Sequence, residues 1–283
     1  MTFSIVARSA DGTAHGVAVA SKFLAVGAAV PAAAAGVGAI ATQSYANLAY
    51  RPQGLALLST GVNADGVVAG LTAADPGRAQ RQLGVVGKTG DGATYTGDGC
   101  HAWAGGLTGD GFAVQGNILT GPEVVEAMRD AWLASDPALP LAFRLLAALR
   151  AGDAAGGDSR GRQSAAVLVV APGQGYGGTS DVVVDLRVDD HPEPCTEIAR
   201  LLDIHELYFG RSNPATLLAL EGELAAEVRR LLGAADESDV NDALASWAGV
   251  ENLEERMVPG KIDPVVLKHL RQSASQSTVQ TGG

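Results

Sequence analysis

The sequence predicts a layered α+β fold followed by a small, mainly helical unit. Three observations carry this expectation. Apolar residues recur with a period of two in some segments and with a helical period in others, and the order runs strands, helices, strands, helices, strands instead of strict βαβ alternation. Asp11-Gly12 joins two β-type runs and is a strong hairpin signal. After Asp190 the texture changes, with Pro192 and Pro194 leading into patterns that are mostly helical.

Phe3 to Ala7 and Gly16 to Ala20 are the two strands of that opening hairpin. Residues 36–43 (GVGAIATQ) read as a third strand, and residues 54–59 and 65–74 as two short helices. From Arg81 to Gly116 the chain is dense in Gly and alternating apolar residues, which predicts several strands with tight turns. Pro122 in the first turn opens a helix whose apolar stripe runs from Val124 to Leu133, and a second helix follows over 140–150. Residues 164–170 (SAAVLVV) and 181–188 (DVVVDLRV) are β-rich strands separated by a Gly-rich turn. A helix is expected over about 195–205, then the linker Gly210-Arg211-Ser212-Asn213-Pro214. Helices over 217–232, 239–247 and 263–270 and a frayed polar tail complete the expectation. The boundaries are a domain over 1–204, a helical one over 205–271 and a flexible tail over 272–283.

With 283 residues, 47% of them hydrophobic and 18% charged, the chain has ample material for a core. A net charge of -11 argues against binding phosphate backbones, so no nucleic-acid partner is expected. Cys100 and Cys195 are too few for a disulfide framework and are read as reduced thiols. The five His residues lack metal-ligand spacing, so no metal is expected, and no cofactor either, because the phosphate-binding motif G-x-x-x-x-G-K-[ST] is missing. The N-terminus lacks a basic region followed by an apolar stretch, and residues 25–41 carry Pro31 and fall short of a membrane span. A cytoplasmic protein without a membrane partner is the expectation.

The residue with the most chemical promise is Thr2. Methionine removal is permitted before a small residue and would leave Thr2 first in the chain, at the start of a strand. Its own α-amine, with a pKa of about 7.7–8.0, could then take the hydroxyl proton.

The blocks TFSIVA, GVAVASKFLAVGAAVP, GAIATQS, QGN and GGDSRGRQSAA resemble the family of unknown function DUF1028, assigned to the N-terminal-nucleophile (Ntn) hydrolase superfamily. The resemblance covers residues 2 to about 190. HELYFG and GVENLEER, within 205–270, resemble the segment often attached in that family and described as peptidoglycan-binding. The resemblance implies a four-layer αββα sandwich and a Thr nucleophile tuned by a nearby Lys and Asp. Lys22, at the end of the second strand, would lower the pKa of the amine. In proteasome-like relatives the Lys comes from about the third strand, where this chain has Thr42-Gln43-Ser44. Ser44 then becomes a polar contact to substrate.

Asp158, in a loop between helix and strand, would hold the amine, with Arg160 or Gln163 binding a substrate carboxylate or amide. The alternative is a structural Arg160–Asp158 bridge. Asn117 offers a side-chain amide to an oxyanion, or merely ends its strand. Arg51 either meets an anionic substrate or is simply exposed. The resulting expectation is an Ntn-type hydrolase of a small or peptide-like amide, with a homo-oligomer left open. The alternative is a catalytically silent scaffold binding cell-wall fragments or a protein.

Overall fold

The computed structural model describes residues 2–235 and 239–280. Alternating small and β-branched residues make β1 (Thr2–Arg8) and β2 (His15–Ser21), paired antiparallel from Phe3↔Ala20 to Arg8↔His15. Asp11 closes their turn by accepting hydrogen bonds from Ser9 Oγ and Thr13 N. The chain continues through α1 (Val26–Ala29), β3 (Pro31–Ala34), β4 (Gly38–Ser44), α2 (Tyr50–Ser59) and α3 (Ala64–Ala73). Four strands follow: β5 (Arg81–Gly87), β6 (Gly92–Thr96), β7 (Gly105–Gly109) and β8 (Phe112–Asn117). Then come α4 (Glu123–Ala134), α5 (Leu141–Ala154), β9 (Ser164–Val170), β10 (Val182–Val188) and α6 (Pro194–Phe209).

These strands form two antiparallel sheets, one in the order β10-β9-β2-β1-β8-β7 and one in the order β3-β4-β5-β6. The period-two pattern of β1 decides the layering. Phe3, Ile5 and Ala7 pack with Met128, Leu145 and Leu149 of α4 and α5 on the outer face of the larger sheet. Val6, with Val17 and Val19, faces Ala39, Ala41 and Val86 of the smaller sheet. On that sheet's other face Ile40, Leu83 and Val85 pack with Leu58 and Val67 of α2 and α3. The four layers are therefore αββα, with one apolar cluster at each of the three interfaces between them.

The chain divides into two compact units between Leu202 and Asp203. The second unit contains the two-residue strands β11 (Leu218–Ala219) and β12 (Lys261–Ile262), together with α7 (Gly222–Leu232), α8 (Val240–Val250) and α9 (Pro264–Gln280). Its core includes Val228, Leu244, Leu253, Ile262 and Leu270. The buried Arg256 guanidinium donates to Asp263 Oδ2 at 2.9 Å and to the Leu207 carbonyl at 2.8 Å, which satisfies a charge that would otherwise be costly to bury.

Several expected boundaries move. α1 and β3 lie in a stretch that the sequence marks only as apolar, because their Ala- and Gly-rich residues carry no clear period. The helix expected from 217 begins at Gly222, since Leu218 and Ala219 pair with Ile262 and Lys261. α5 and α6 run about four residues past their expected ends. The expected tail from 272 is instead helical to Gln280, while residues 281–283 lie outside the described residues. No helix among the described residues is long and apolar enough to cross a membrane.

His15 has a measurable consequence. It is fully buried and neither ring nitrogen has a hydrogen-bond partner. Burial, and secondarily the charge of Arg8, push its pKa from 6.5 down to about 4. Between those values the unfolded chain binds a proton that the folded one refuses, so stability falls as pH drops from about 6.5 to 4, by on the order of 3 kcal/mol. His15→Leu should flatten urea-midpoint stability across this window. An unchanged slope in the variant would remove His15 as its source.

Candidate functional site

One end of the sandwich collects the chemistry. β1 starts there at Thr2 and β5 at Arg81, while β2, β4 and β8 end there at Ser21, Ser44 and Asn117; the pairs Thr2↔Asn117, Ser21↔Ser164 and Ser44↔Arg81 fix the register. Alternation puts Thr2, Ser4 and Ser21 on the face turned toward the smaller sheet, in phase with Val6 and Val19. Thr2 is buried, and its Oγ1 lies 3.1 Å from Ser21 Oγ, either hydroxyl being able to donate.

Asp158 is delivered to the same end by the bridge Leu119↔Asp158 and by Ser159 N donating to the Ile118 carbonyl. Its carboxylate is buried. Oδ2 accepts from Lys22 N at 2.7 Å, Oδ1 accepts from Arg160 N at 2.9 Å, and the half-exposed guanidinium of Arg160 stands 3.3 Å from Oδ2. Lys22 and Asp158, each expected beside Thr2, meet through the Lys22 backbone amide. The ammonium is in solvent, on the Arg162 carbonyl at 3.2 Å, because the chain turns out of the sheet directly after Ser21. Arg160 does pair with Asp158. Removal of Met1 concerns a residue outside those described.

Asn117 departs from its expected role as an oxyanion donor. It is 1% exposed, and its Nδ2 donates to Gln82 Oε1 at 2.8 Å and stands 3.5 Å from the Thr2 carbonyl. It belongs to a buried polar network between the sheets. Gln115 Nε2 donates to Ser4 Oγ at 2.6 Å, Ser4 Oγ to Gln43 Oε1 at 2.7 Å, and Gln43 Nε2 to Gln82 Oε1 at 2.8 Å. Gln82 Nε2 donates to the Gly116 carbonyl at 2.6 Å. An amide engaged in this way is a fastening between layers, and its hydrogens are directed into the protein.

The other expected contacts are more dispersed. Ser44 is partly buried with φ 68°, and Ile118, just past Asn117, has φ 50°. The left-handed region is uncommon for any residue with a Cβ and most disfavoured for a β-branched one, so strain sits at the rim on both sheets, more at Ile118 than at Ser44. Arg51 donates to the Ala28 carbonyl at 2.8 Å, and Gln163 accepts from His191 N through its backbone. Beside Ser44, the buried Asp75 accepts from Arg81 Nε, Tyr50 OH and Gly77 N, and Arg81 first, then these others, hold its carboxyl well below the usual carboxylate range. Arg81 also donates to the Tyr45 carbonyl, and Tyr45 OH lies 3.2 Å from His101 Nε2.

A cavity of about 380 Å³ opens beside Ser21 and Asp158, with Phe3, Asp153, Arg162 and Pro194 among its walls. Among the described residues no group of three His, Cys, Asp or Glu is placed to hold a metal. Burial raises the Cys195 thiol to about 12, which leaves it unreactive.

Sequence reasoning missed Ser21, Gln82 and Gln115. A signal was present: each is a polar residue at the inward phase of a β-type run. Gly84 tests how closely this network is fitted. A Cβ there would fall 2.0 Å from Gln115 Oε1. Gly84→Ala should therefore destabilise the protein by about 1–3 kcal/mol in urea denaturation, as overpacking does. An unmoved midpoint would mean that Gln115 shifts freely.

Residues 2–198 match a family model described as "Family of unknown function (DUF1028)", and residues 209–270 match one described as "Putative peptidoglycan binding domain". No curated protein matches the chain. Among solved structures, the crystal structure of protein SPO2555 from Silicibacter pomeroyi, of the same family model, is similar at 31% identity and a TM-score of 0.65. The similarity covers 81% of this chain and 93% of that one. With the match spanning most of the αββα unit and its Thr2 end, the chain belongs to the DUF1028 family.

Proposed function

We propose that this protein is an amide hydrolase of the N-terminal-nucleophile type, with Thr2 as nucleophile once Met1 has been removed. The observation that carries the reading is the Thr2 Oγ1–Ser21 Oγ contact, buried at a sheet end where Lys22 N and Arg160 N hold the Asp158 carboxylate. A buried hydroxyl pair beside an oriented carboxylate suits a nucleophile whose proton must be moved locally.

In this reading the Thr2 oxygen adds to the substrate carbonyl carbon and its proton passes to the neutral α-amine. The C–N bond then breaks, the amine nitrogen of the leaving group takes that proton, and an ester to Thr2 remains. Water adds to the ester, again giving its proton to the α-amine, and the acid leaves as Thr2 Oγ recovers a proton. Ser21 supports the alkoxide through its hydroxyl. Asp158 favours the charged form of a nearby amine and so stabilises the intermediate that carries the proton. The adjacent cavity, with Asp153 and Arg162 in its wall, suits a small polar or peptide-like amide.

The match over 209–270 supports a separate role for that segment in holding a peptidoglycan fragment. The alternative reading joins that role to a silent scaffold. The two part at the N-terminus, since a retained Met1 leaves Thr2 without a free amine.

Intact-mass measurement of purified protein should show loss of Met1. Thr2→Ala should then lower the hydrolysis of a panel of chromogenic peptide amides by at least about 10³-fold, with melting unchanged. Lys22→Met should change the rate less than about fivefold, because an exposed ammonium is screened by water. Retained Met1, or equal activity in Thr2→Ala, would overturn the proposal.

A further inference from the structure

We infer that Gln82, on the opposite sheet, is a positioning residue for Thr2. The inference rests on the reading of Thr2 as nucleophile. Gln82 is fully buried and contributes nothing to the rim itself. Its orientation has no freedom: the Gly116 carbonyl can only accept, so Nε2 must face it at 2.6 Å, with Thr96 Oγ1 at 2.9 Å and the Gly105 carbonyl at 3.3 Å beyond. Oε1 is thereby turned toward two amide donors, Gln43 Nε2 and Asn117 Nδ2, each at 2.8 Å.

Those two nitrogens are the ones that approach the Thr2 carbonyl, at 3.3 and 3.5 Å. Each amide has two hydrogens. Spending one on Gln82 leaves the other of Asn117 for the Thr2 carbonyl and the other of Gln43 shared between that carbonyl and the Gln115 carbonyl at 3.4 Å. This matters most for a chain that begins at Thr2, where no preceding peptide helps to hold the residue. Holding the peptide plane of the Thr2 carbonyl sets the ψ angle of Thr2 and, with it, where Oγ1 stands against Ser21. Gln82 therefore acts on the nucleophile through Gln43 and Asn117, from a different sheet and without touching Thr2 or substrate.

The test follows acylation of Thr2 by p-nitrophenyl acetate, located by mass spectrometry, in the full chain from pH 5 to 9. Gln82→Met keeps the side chain's length and removes both functions. The expected result is a 10- to 100-fold slower acylation at saturating ester, with the half-saturation concentration within about threefold of the parent and melting little changed, as for a displaced nucleophile. Gln82→Glu supplies the rescue. The neutral acid can still donate to Gly116 and accept from both amides, whereas the carboxylate cannot donate. Burial raises such a carboxyl's pKa, so the ratio of variant to parent rate should be near one at low pH and fall as pH rises. The direct partners of the residue are uncharged, and the neighbouring Arg81 is already on Asp75.

If the parent is acylated at Thr2 and Gln82→Met reacts at the same rate, the inference fails while Thr2 stands. If Gln82→Met does not fold, a Gln82→Glu ratio that stays flat with pH overturns it equally. No acylation of the parent at Thr2 overturns the nucleophile reading and this inference with it.

Discussion

The polar network between the sheets is the constraint on which the candidate site depends. Most of the sandwich interior is closed by small and branched side chains, Val6, Val17 and Val19 against Ala39, Ala41 and Val86, and such contacts set a distance without setting a register. At the Thr2 end Ser4, Gln43, Gln82, Gln115 and Asn117 replace them, all buried. Directional bonds of 2.6–2.8 Å then fix how β1 and β8 sit over β4 and β5. A buried amide with a lost partner costs more than a bond contributes, so the network is most stable when all its members are in place together.

The rim inherits its rigidity from that network and from one ion pair. Asp75 gathers Arg81, Tyr50 and Gly77, and Arg81 in turn holds the Tyr45 carbonyl, so the chain leaving β4 is anchored directly after the left-handed Ser44. On the other sheet, Ile118 turns the chain so that Leu119 can bridge to Asp158. Strained residues persist where surrounding structure over-determines them, and here one leads into each loop that frames Thr2.

The two ends of the sandwich treat buried polar groups in opposite ways. At the Thr2 end the amides are nearly all partnered, with Gln115 Oε1 the exception, pressed against Gly84. At the other end His15 is closed in with both ring nitrogens bare, which holds it neutral. Polar side chains at one end thus organise structure, while at the other a single ring leaves a pH-dependent weakness.

Much of the fold is legible in the chain alone. β-type and β-branched runs place β1, β2, β9 and β10 nearly to the residue, Asp11-Gly12 marks the first hairpin, and the blocked order of strands and helices sets the α+β class. Thr2 stands out as a candidate from its place at the start of a strand, a local signal, whereas Asp158 does so through the family resemblance of its helix-to-strand loop. What these residues touch is settled by packing. Ser21 meets Thr2, and the backbone of Lys22 rather than its ammonium meets Asp158, because the chain turns after β2 and carries the side chain into solvent. Asn117 and the three glutamines belong to three strands on two sheets. Their partnership depends on how the sheets face one another, and residues 35 to 111 positions apart leave no local pattern by which such a contact can be read.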